Sequence, residues 1–168
     1  EIYNGTDGDV DLSGYSLSSC SNGCDEFAIW DYQDNVTFEA GTTLAAGDVY
    51  VVCHGSSSDE ILAECDQTFT YLSNGDDAFA LTQVGSGLVL DQVGNVGDDP
   101  GSGWDVAGVS AATKDHTLVR KTEVMMGNGG DWEYSAGSNA DDSEWVVFEQ
   151  NTWDYVGFHP HDFSADVP

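Results

Sequence analysis

Positively charged side chains are almost absent from this chain. Its 168 residues include 3 lysines and arginines against 31 aspartates and glutamates, which gives a formal net charge of −28. All three cations fall within Lys114–Lys121. Proteins bind nucleic acids and anionic membranes largely by placing Lys and Arg on phosphates, so this scarcity argues against either partner. The acidic surface suits a saline or divalent-rich setting, or is a solvated face that binds nothing.

Long apolar runs and the motifs of common hydrolases are also missing. No segment approaches the roughly 18 apolar residues of a membrane-spanning helix, which argues against membrane insertion. No signal peptide precedes Glu1, so we expect that a leader was removed there or that the chain is a fragment. The sequence contains no G-x-S-x-G elbow, H-E-x-x-H pair or P-loop. We therefore predict no catalytic residue, no firm cofactor and no enzyme activity.

The four histidines are the remaining candidates for catalysis or metal binding. His54 follows Cys53, and His116 follows Asp115 in what we interpret as a polar turn. His159 and His161, beside Asp162, could offer metal ligands, but the proline between them splays the two side chains. A solvent-exposed tail is the preferred interpretation of that segment.

The chain has four cysteines, without the paired C-x-x-C spacing of a zinc module. They are Cys20, Cys24, Cys53 and Cys65. Two disulfides are the better interpretation, and they predict an oxidising, extracellular or cell-surface location. Of the three possible connectivities, pairing Cys20 with Cys24 and Cys53 with Cys65 is preferred because each bond closes a local loop. Crossed pairing stays open.

Short strands are predicted throughout the chain, with a β-hairpin between Leu72 and Gly97. Two apolar runs, 78–81 and 88–90, flank turn residues that include Gly85 and Gly87. Runs of β-branched and aromatic residues predict the other strands. These are Glu1–Asn4, Tyr15–Leu17, Val36–Phe38, Val49–Cys53, Thr68–Tyr71, Thr117–Lys121 and Glu144–Phe148. Without the crossover helices of a parallel sheet, the pattern predicts an all-β, antiparallel β-sandwich in a single domain, 1–168.

One short helix is predicted from about Asp59 to Cys65. Serines precede two acids at its start, and Ile61, Leu62 and Cys65 follow at helical spacing. We expect no other helix, because residues 125–143 are rich in Gly, Asn and Asp. The C-terminal third, about 122–168, is accordingly predicted to be loop-rich.

Three blocks of the sequence resemble lamin tail domains. EIYNGTDGDVDLSGYSL is similar to the family's strand, polar loop and returning "DLSGY/W-x-L" strand. VTFEAGTTLAAGDVYVV resembles its "F-x-x-G-x-x-L-x-x-G-x-x-V-x-V" segment, and NGDDAFALTQVGSGLVLDQVG resembles its Asn- and Asp-containing hairpin. The blocks span Glu1 to about Gly97 in the family's order. The continuations GDDPGSGWDVAGVSAATKDHTLVRK and DSEWVVFEQNTWDYVG resemble the secreted, mainly marine bacterial branch.

The resemblance implies an immunoglobulin-like β-sandwich that serves as a non-catalytic binding, adhesion or scaffolding module. In the secreted branch the domain often accompanies extracellular nucleases, phosphatases or surface-anchored proteins. The chain departs from the family in its large acidic excess and in the strand that usually precedes EIYN, which is absent or short.

Calcium is the ligand that the acidic loops most favour, because hard divalent ions bind six to eight carboxylate and carbonyl oxygens. Leu12 and Ser18 stand where an EF-hand loop starting at Asp7 needs Gly and Glu, so only an irregular site is open. A solvated turn is the competing interpretation at each cluster. The candidate ligands are Asp7, Asp9, Asp11, Asp76, Asp77, Asp98, Asp99 and Asp105, with Asp141 and Asp142 as a further cluster.

The five tryptophans suggest a second kind of ligand, because flat indole rings stack on sugar faces. Most tryptophans in a small sandwich belong to the core, so we expect exposed rings only at Trp30 and Trp132, in the loosest loops.

The leading hypothesis is a non-catalytic extracellular structural or adhesion module that assembles with copies of itself at a cell surface or in a filament. Open sheet edges, calcium or the basic segment 113–121 could join the copies. Two alternatives stay open, an accessory domain of a secreted nuclease or phosphatase and a carbohydrate-binding module. The full reading frame and a glycan array would separate these alternatives.

Overall fold

The computed structural model describes residues 1–26 and 29–160, and most of its regular structure is strand. In chain order the strands are β1 (Ile2–Tyr3), β2 (Val10–Asp11), β3 (Tyr15–Cys20), β4 (Tyr32–Thr37), β5 (Thr43–Leu44), β6 (Val49–Tyr50), β7 (Val52–Cys53), β8 (Gln67–Thr68), β9 (Ala78–Gln83), β10 (Val89–Val93), β11 (Thr117–Arg120) and β12 (Trp145–Phe148). The helices are α1 (Asp59–Ala63), α2 (Trp132–Ala136) and a 3-10 turn at Leu12–Gly14.

A four-stranded antiparallel sheet in the order β10-β9-β3-β4 is the largest sheet of the described chain. The predicted hairpin forms its β9–β10 pair, in which Val93 lies opposite Phe79. Strand β9 alternates as a half-buried strand should, because Ala78, Ala80 and Thr82 are fully buried and the residues between them are partly exposed.

The first hydrophobic core lies where this sheet meets the smaller strand pairs β1–β6 and β2–β5. Its buried residues come from well-separated parts of the first 44 positions. They are Ile2, Leu12, Val36, Phe38 and Leu44. Burying these apolar side chains removes them from water and is the main favourable term in folding. The predicted all-β, immunoglobulin-like sandwich is confirmed.

A second core lies in the C-terminal part of the chain, where the sequence predicted loops. Helix α2 begins after Asp131, whose carboxylate accepts a hydrogen bond from the Tyr134 backbone N–H, and it buries Trp132 and Ala136. These two side chains pack with Val106, Ala112 and Trp145. The expectation of a single helix was therefore wrong. The Gly- and Asn-rich surroundings mark turns correctly, but packing of one helix face stabilises a short helix that local propensity does not favour.

The prediction that Trp132 is exposed was also wrong, because its side chain is only 3% exposed. Its ring lies 6.2 Å from the Trp145 ring, centroid to centroid. Trp30 is partly exposed. Burying two indoles explains how a short polar segment acquires a core of its own.

Several predicted boundaries differ from the observed elements. The strand expected at Thr68–Tyr71 is instead β8, which pairs in parallel with β7. The run Val49–Cys53 is interrupted at Val51, whose backbone N–H donates to the Asp66 carboxylate at 2.8 Å rather than to a neighbouring strand. Helix α1 ends at Ala63 rather than at Cys65, and β3 extends beyond Leu17 to Cys20.

Arg120 joins the second core to the central sheet. Its guanidinium, in β11, forms ion pairs with Asp91 of β10 and with Glu144. Beside them, the Gly129 backbone N–H donates to the Leu90 carbonyl at 3.0 Å, and the Asn128 side chain donates to the Gln92 carbonyl at 2.8 Å. The C-terminal part thus covers the β10 edge, which would otherwise present unpaired backbone groups.

Candidate functional site

Several acidic loops meet at one end of the central sheet. Neighbouring strands run antiparallel, with Cys20 opposite Ala78 and Val93 opposite Phe79, so the end of β3, the start of β9 and the end of β10 lie side by side. We call the loops 21–26, 72–77 and 94–99 at this end the acidic end.

Direct contacts hold these loops together. The Asn22 backbone N–H donates to the Asp77 carboxylate at 2.9 Å. Gly23 has a φ of +83° and packs so closely that a Cβ there would lie 2.9 Å from the Asp99 backbone nitrogen. The Thr113 hydroxyl donates to the Gly75 carbonyl at 2.6 Å and ties the second core to the same junction. The acidic end is therefore packed from several separate chain segments.

Asp76 differs from every other candidate ligand because it is buried. The residue is only 9% exposed, and its Oδ1 has no hydrogen-bond partner among the described residues. A buried carboxylate is normally paired or fully hydrogen-bonded, because removing its charge from water is costly. The described surroundings of Asp76 thus do not compensate the burial of its carboxylate oxygen.

Asp98, Asp99 and Asp105, in or after loop 94–99, accept hydrogen bonds from nearby residues of the chain. The Asp99 carboxylate accepts from the Gly101 N–H at 2.7 Å, and Asp105 accepts from the Ala111 N–H at 2.8 Å. Asp98 accepts from the Asn95 side chain at 3.2 Å. Asp98 and Asp105 also line one open pocket of about 420 Å³ together with Glu133, so the fold brings together acids that are distant in sequence.

Asp7, Asp9 and Asp11 lie away from the acidic end. Asp7 and Asp9 belong to the loop that enters β2, and Asp11 is the last residue of that strand, which pairs with β5 outside the central sheet. Asp11 accepts a hydrogen bond from the Ser13 N–H at 2.9 Å. Asp9 accepts one of 3.4 Å from the Ala46 N–H.

The Asp142 carboxylate accepts several hydrogen bonds within one exposed turn. Its carboxylate accepts hydrogen bonds from the backbones and side chains of both Ser138 and Asn139. The Ser138 hydroxyl, followed by the Asn139 backbone N–H, holds the pKa of this carboxyl below its usual range. These donors give Asp142 a structural role.

The predicted disulfide pairing is confirmed, with Cys20 bonded to Cys24 and Cys53 to Cys65. Among residues 1–26 and 29–160, the sole group of three metal-type ligand atoms within 4.8 Å of one another comprises Cys20, Cys24 and Asp31. Its two sulfur atoms are consumed by the disulfide, so this group is not a thiolate metal site.

The histidines are dispersed. The His54 ring nitrogen accepts from the Ser56 N–H at 3.0 Å, His116 contacts the Lys114 carbonyl at 2.8 Å, and the His159 ring lies 4.4 Å from that of Tyr3. His161 and Asp162, which the sequence suggested as metal ligands together with His159, lie outside the described residues.

A groove next to the Cys20–Cys24 bond was not anticipated from the sequence. It measures about 500 Å³, and Tyr32, Tyr71, Asn35 and Asp77 are among its lining residues. Tyr71 is 78% exposed and Tyr32 54% exposed. The available sequence signal was the tyrosines themselves, because phenol rings, like indoles, present a flat apolar face.

The lysines and the arginine of the chain have partners other than Asp76. Arg120 contacts Asp91 and Glu144 and lies 4.2 Å above the Trp145 ring. Lys121 donates to the Ala140 carbonyl at 2.7 Å. The Lys114 ammonium is 3.4 Å from the Ser102 hydroxyl. Within the segment 113–121, Arg120 is thus held in ion pairs inside the molecule, while Lys114 is exposed.

The fold defines the class of the protein as an immunoglobulin-like β-sandwich, and comparison with known proteins then gives its family. The family model described as Lamin Tail Domain matches residues 1–97, more than half of the chain, so the protein belongs to the lamin tail domain family. Its members are non-catalytic structural domains and protein-interaction modules. No curated protein and no solved structure matches the chain. No helix in the described residues is long and apolar enough to cross a membrane.

Proposed function

We propose that this chain is an extracellular, non-catalytic structural module of the secreted, mainly marine bacterial branch, and that copies associate through their acidic ends when calcium is present. The observation that carries the proposal is the convergence of three acidic loops on one end of the sheet. Family membership supports a role in protein interaction, and two disulfides support an oxidising compartment.

Charge explains why divalent ions would control the association. Each copy carries a net charge of −28, so two acidic ends repel each other across a Debye length of about 8 Å at physiological ionic strength. A divalent ion shared between carboxylates of two copies would remove this repulsion and contribute direct coordination. Sodium at equal ionic strength supplies the screening but not the bridge.

Sedimentation velocity tests the proposal. The wild-type protein should sediment as a larger species in millimolar calcium and as a monomer in EDTA or in sodium chloride of equal ionic strength. The double variant Asp98→Asn/Asp99→Asn should lose the calcium-induced species. The matched variant Asp7→Asn/Asp9→Asn removes the same charge away from the acidic end and should retain it. A wild-type monomer under all conditions would refute self-association.

The groove favours carbohydrate binding as a second candidate function. Tyr32 and Tyr71 offer exposed rings for stacking on sugar faces, and Asn35 and Asp77 offer polar atoms for hydroxyl groups. A glycan array should then give signals that Tyr71→Ala abolishes. Tyr134→Ala is the control, because Tyr134 is 69% exposed and lies outside the groove lining. Equal binding by both variants, or no glycan signal at all, would exclude this function.

A further inference from the structure

The unpaired carboxylate oxygen of Asp76 needs a compensating group. The residue is 9% exposed, and Oδ1 has no hydrogen-bond partner within the described chain. Leaving a buried charge unpaired is among the more destabilising arrangements in a protein. The two neighbours of Asp76 along the chain are well anchored, since Gly75 accepts a hydrogen bond from Thr113 and Asp77 accepts one from Asn22. Asp76 is consequently held at a junction of three chain segments.

The basic side chains of the chain do not supply this group. Arg120 forms ion pairs with Asp91 and Glu144, and Lys121 donates to a carbonyl group. Lys114 packs its aliphatic stem near Gly75, because a Cβ at Gly75 would lie 2.6 Å from the Lys114 Cβ. Its ammonium nevertheless lies near Ser102, and none of the ion pairs within the described residues includes Asp76. Within the described residues no cationic side chain is paired with Asp76, so a cation bound from solution would supply the missing partner.

We infer that Asp76 is a ligand of a structural calcium ion that links loop 72–77 to its neighbours at the acidic end. Calcium prefers oxygen ligands, and beside Asp76 the junction carries the Asp77 carboxylate and the Gly75 main-chain carbonyl. Asp76 belongs to no group of three ionisable ligands within 4.8 Å in the part of the chain described. Carbonyl groups and water must then complete the coordination, and few carboxylates give weak affinity, about 10⁻⁴–10⁻³ M as in extracellular calcium modules.

The inference deepens the proposed function and takes its biological meaning from it, because an intramolecular ion would order the acidic end at which copies meet. It does not require association. Calcium binding at Asp76 predicts a higher melting temperature for the monomer, whereas the proposed function predicts a larger sedimenting species. The two can therefore fail separately.

Thermal melting of wild type and Asp76→Asn, in calcium and in EDTA, tests the inference. Calcium at about 100 times its Kd should raise the wild-type melting temperature by about 5–10 °C, and the variant should lose this increment. In EDTA, Asp76→Asn should melt at the same temperature as wild type or at a higher one, because asparagine removes the unpaired buried charge. Asp7→Asn removes one charge at an exposed position and should keep the full increment.

Magnesium and sodium chloride at equal ionic strength control for general screening. An absent wild-type increment, or an equal increment in Asp76→Asn, would overturn the inference. If the variant does not fold, amide NMR of the wild type during calcium titration decides the question. The largest shifts should centre on residues 72–77 and 22–23, and shifts centred elsewhere would reject Asp76 as the ligand.

Discussion

Replacing Arg120 with methionine should strongly destabilise the protein. The Arg120 side chain is 13% exposed and forms ion pairs with Asp91, on the central sheet, and Glu144, beside the second core. It also donates to the Ser135 hydroxyl at 3.1 Å and lies over the Trp145 ring. Methionine keeps much of the aliphatic stem but leaves two acids without their counter-charge.

The magnitude follows from the burial of the partners. Removing one member of a buried ion pair costs about 3–5 kcal/mol, because the remaining charge is uncompensated. Glu144 is 21% exposed but Asp91 is 35% exposed, and water stabilises the latter in part. We therefore expect a loss of about 3 kcal/mol in the free energy of unfolding, which corresponds to a fall of about 6–12 °C in melting temperature.

Urea unfolding followed by tryptophan fluorescence measures this loss. Lys121→Met is the matched control, since Lys121 forms no ion pair among the described residues and its ammonium donates to the Ala140 carbonyl. Its loss should cost less than about 1 kcal/mol. The triple variant Arg120→Met/Asp91→Asn/Glu144→Gln should recover part of the stability. A loss below about 1 kcal/mol in Arg120→Met would refute the view that this ion-pair network holds the two cores together.

The remaining predictions concern the disulfides and the acidic turn at Asp142. Cys53→Ser/Cys65→Ser should cost about 3 kcal/mol and Cys20→Ser/Cys24→Ser about 2 kcal/mol by loop-closure entropy, because the closed loops span separations of 12 and 4 residues. Denaturant unfolding measures both losses, and the opposite order would contradict the entropic account. The folded-state pKa of Asp142 is lowered, so its stabilising effect is present above the unfolded pKa of about 4 and disappears as pH falls through the lower folded value. Melting curves recorded between neutral and strongly acidic pH should therefore show a smaller acid-induced loss for Asp142→Asn than for wild type, and equal losses would exclude this contribution.

Local signals in the sequence were enough to predict the main sheet and the crosslinks. The two apolar runs around Gly85 and Gly87 predicted the β9–β10 hairpin, because strand alternation and turn chemistry act over a few residues. The short spacings of Cys20 with Cys24 and of Cys53 with Cys65 favoured the observed bonds for the same reason. Helix α2 was missed because its stability comes from packing against Trp145, a residue distant in sequence.

The acidic residues mark the limit of such reasoning. Asp76 and Asp77 are adjacent and chemically identical, yet Asp77 accepts a hydrogen bond from Asn22 while Asp76 is buried with an unpartnered oxygen. The sequence by itself determined the class of fold, the family and the excess of negative charge, since each depends on composition or on short patterns. Only the tertiary structure decided which acids meet and which one is buried, because the antiparallel order of β3, β9 and β10 brings distant loops to the same end of the sheet.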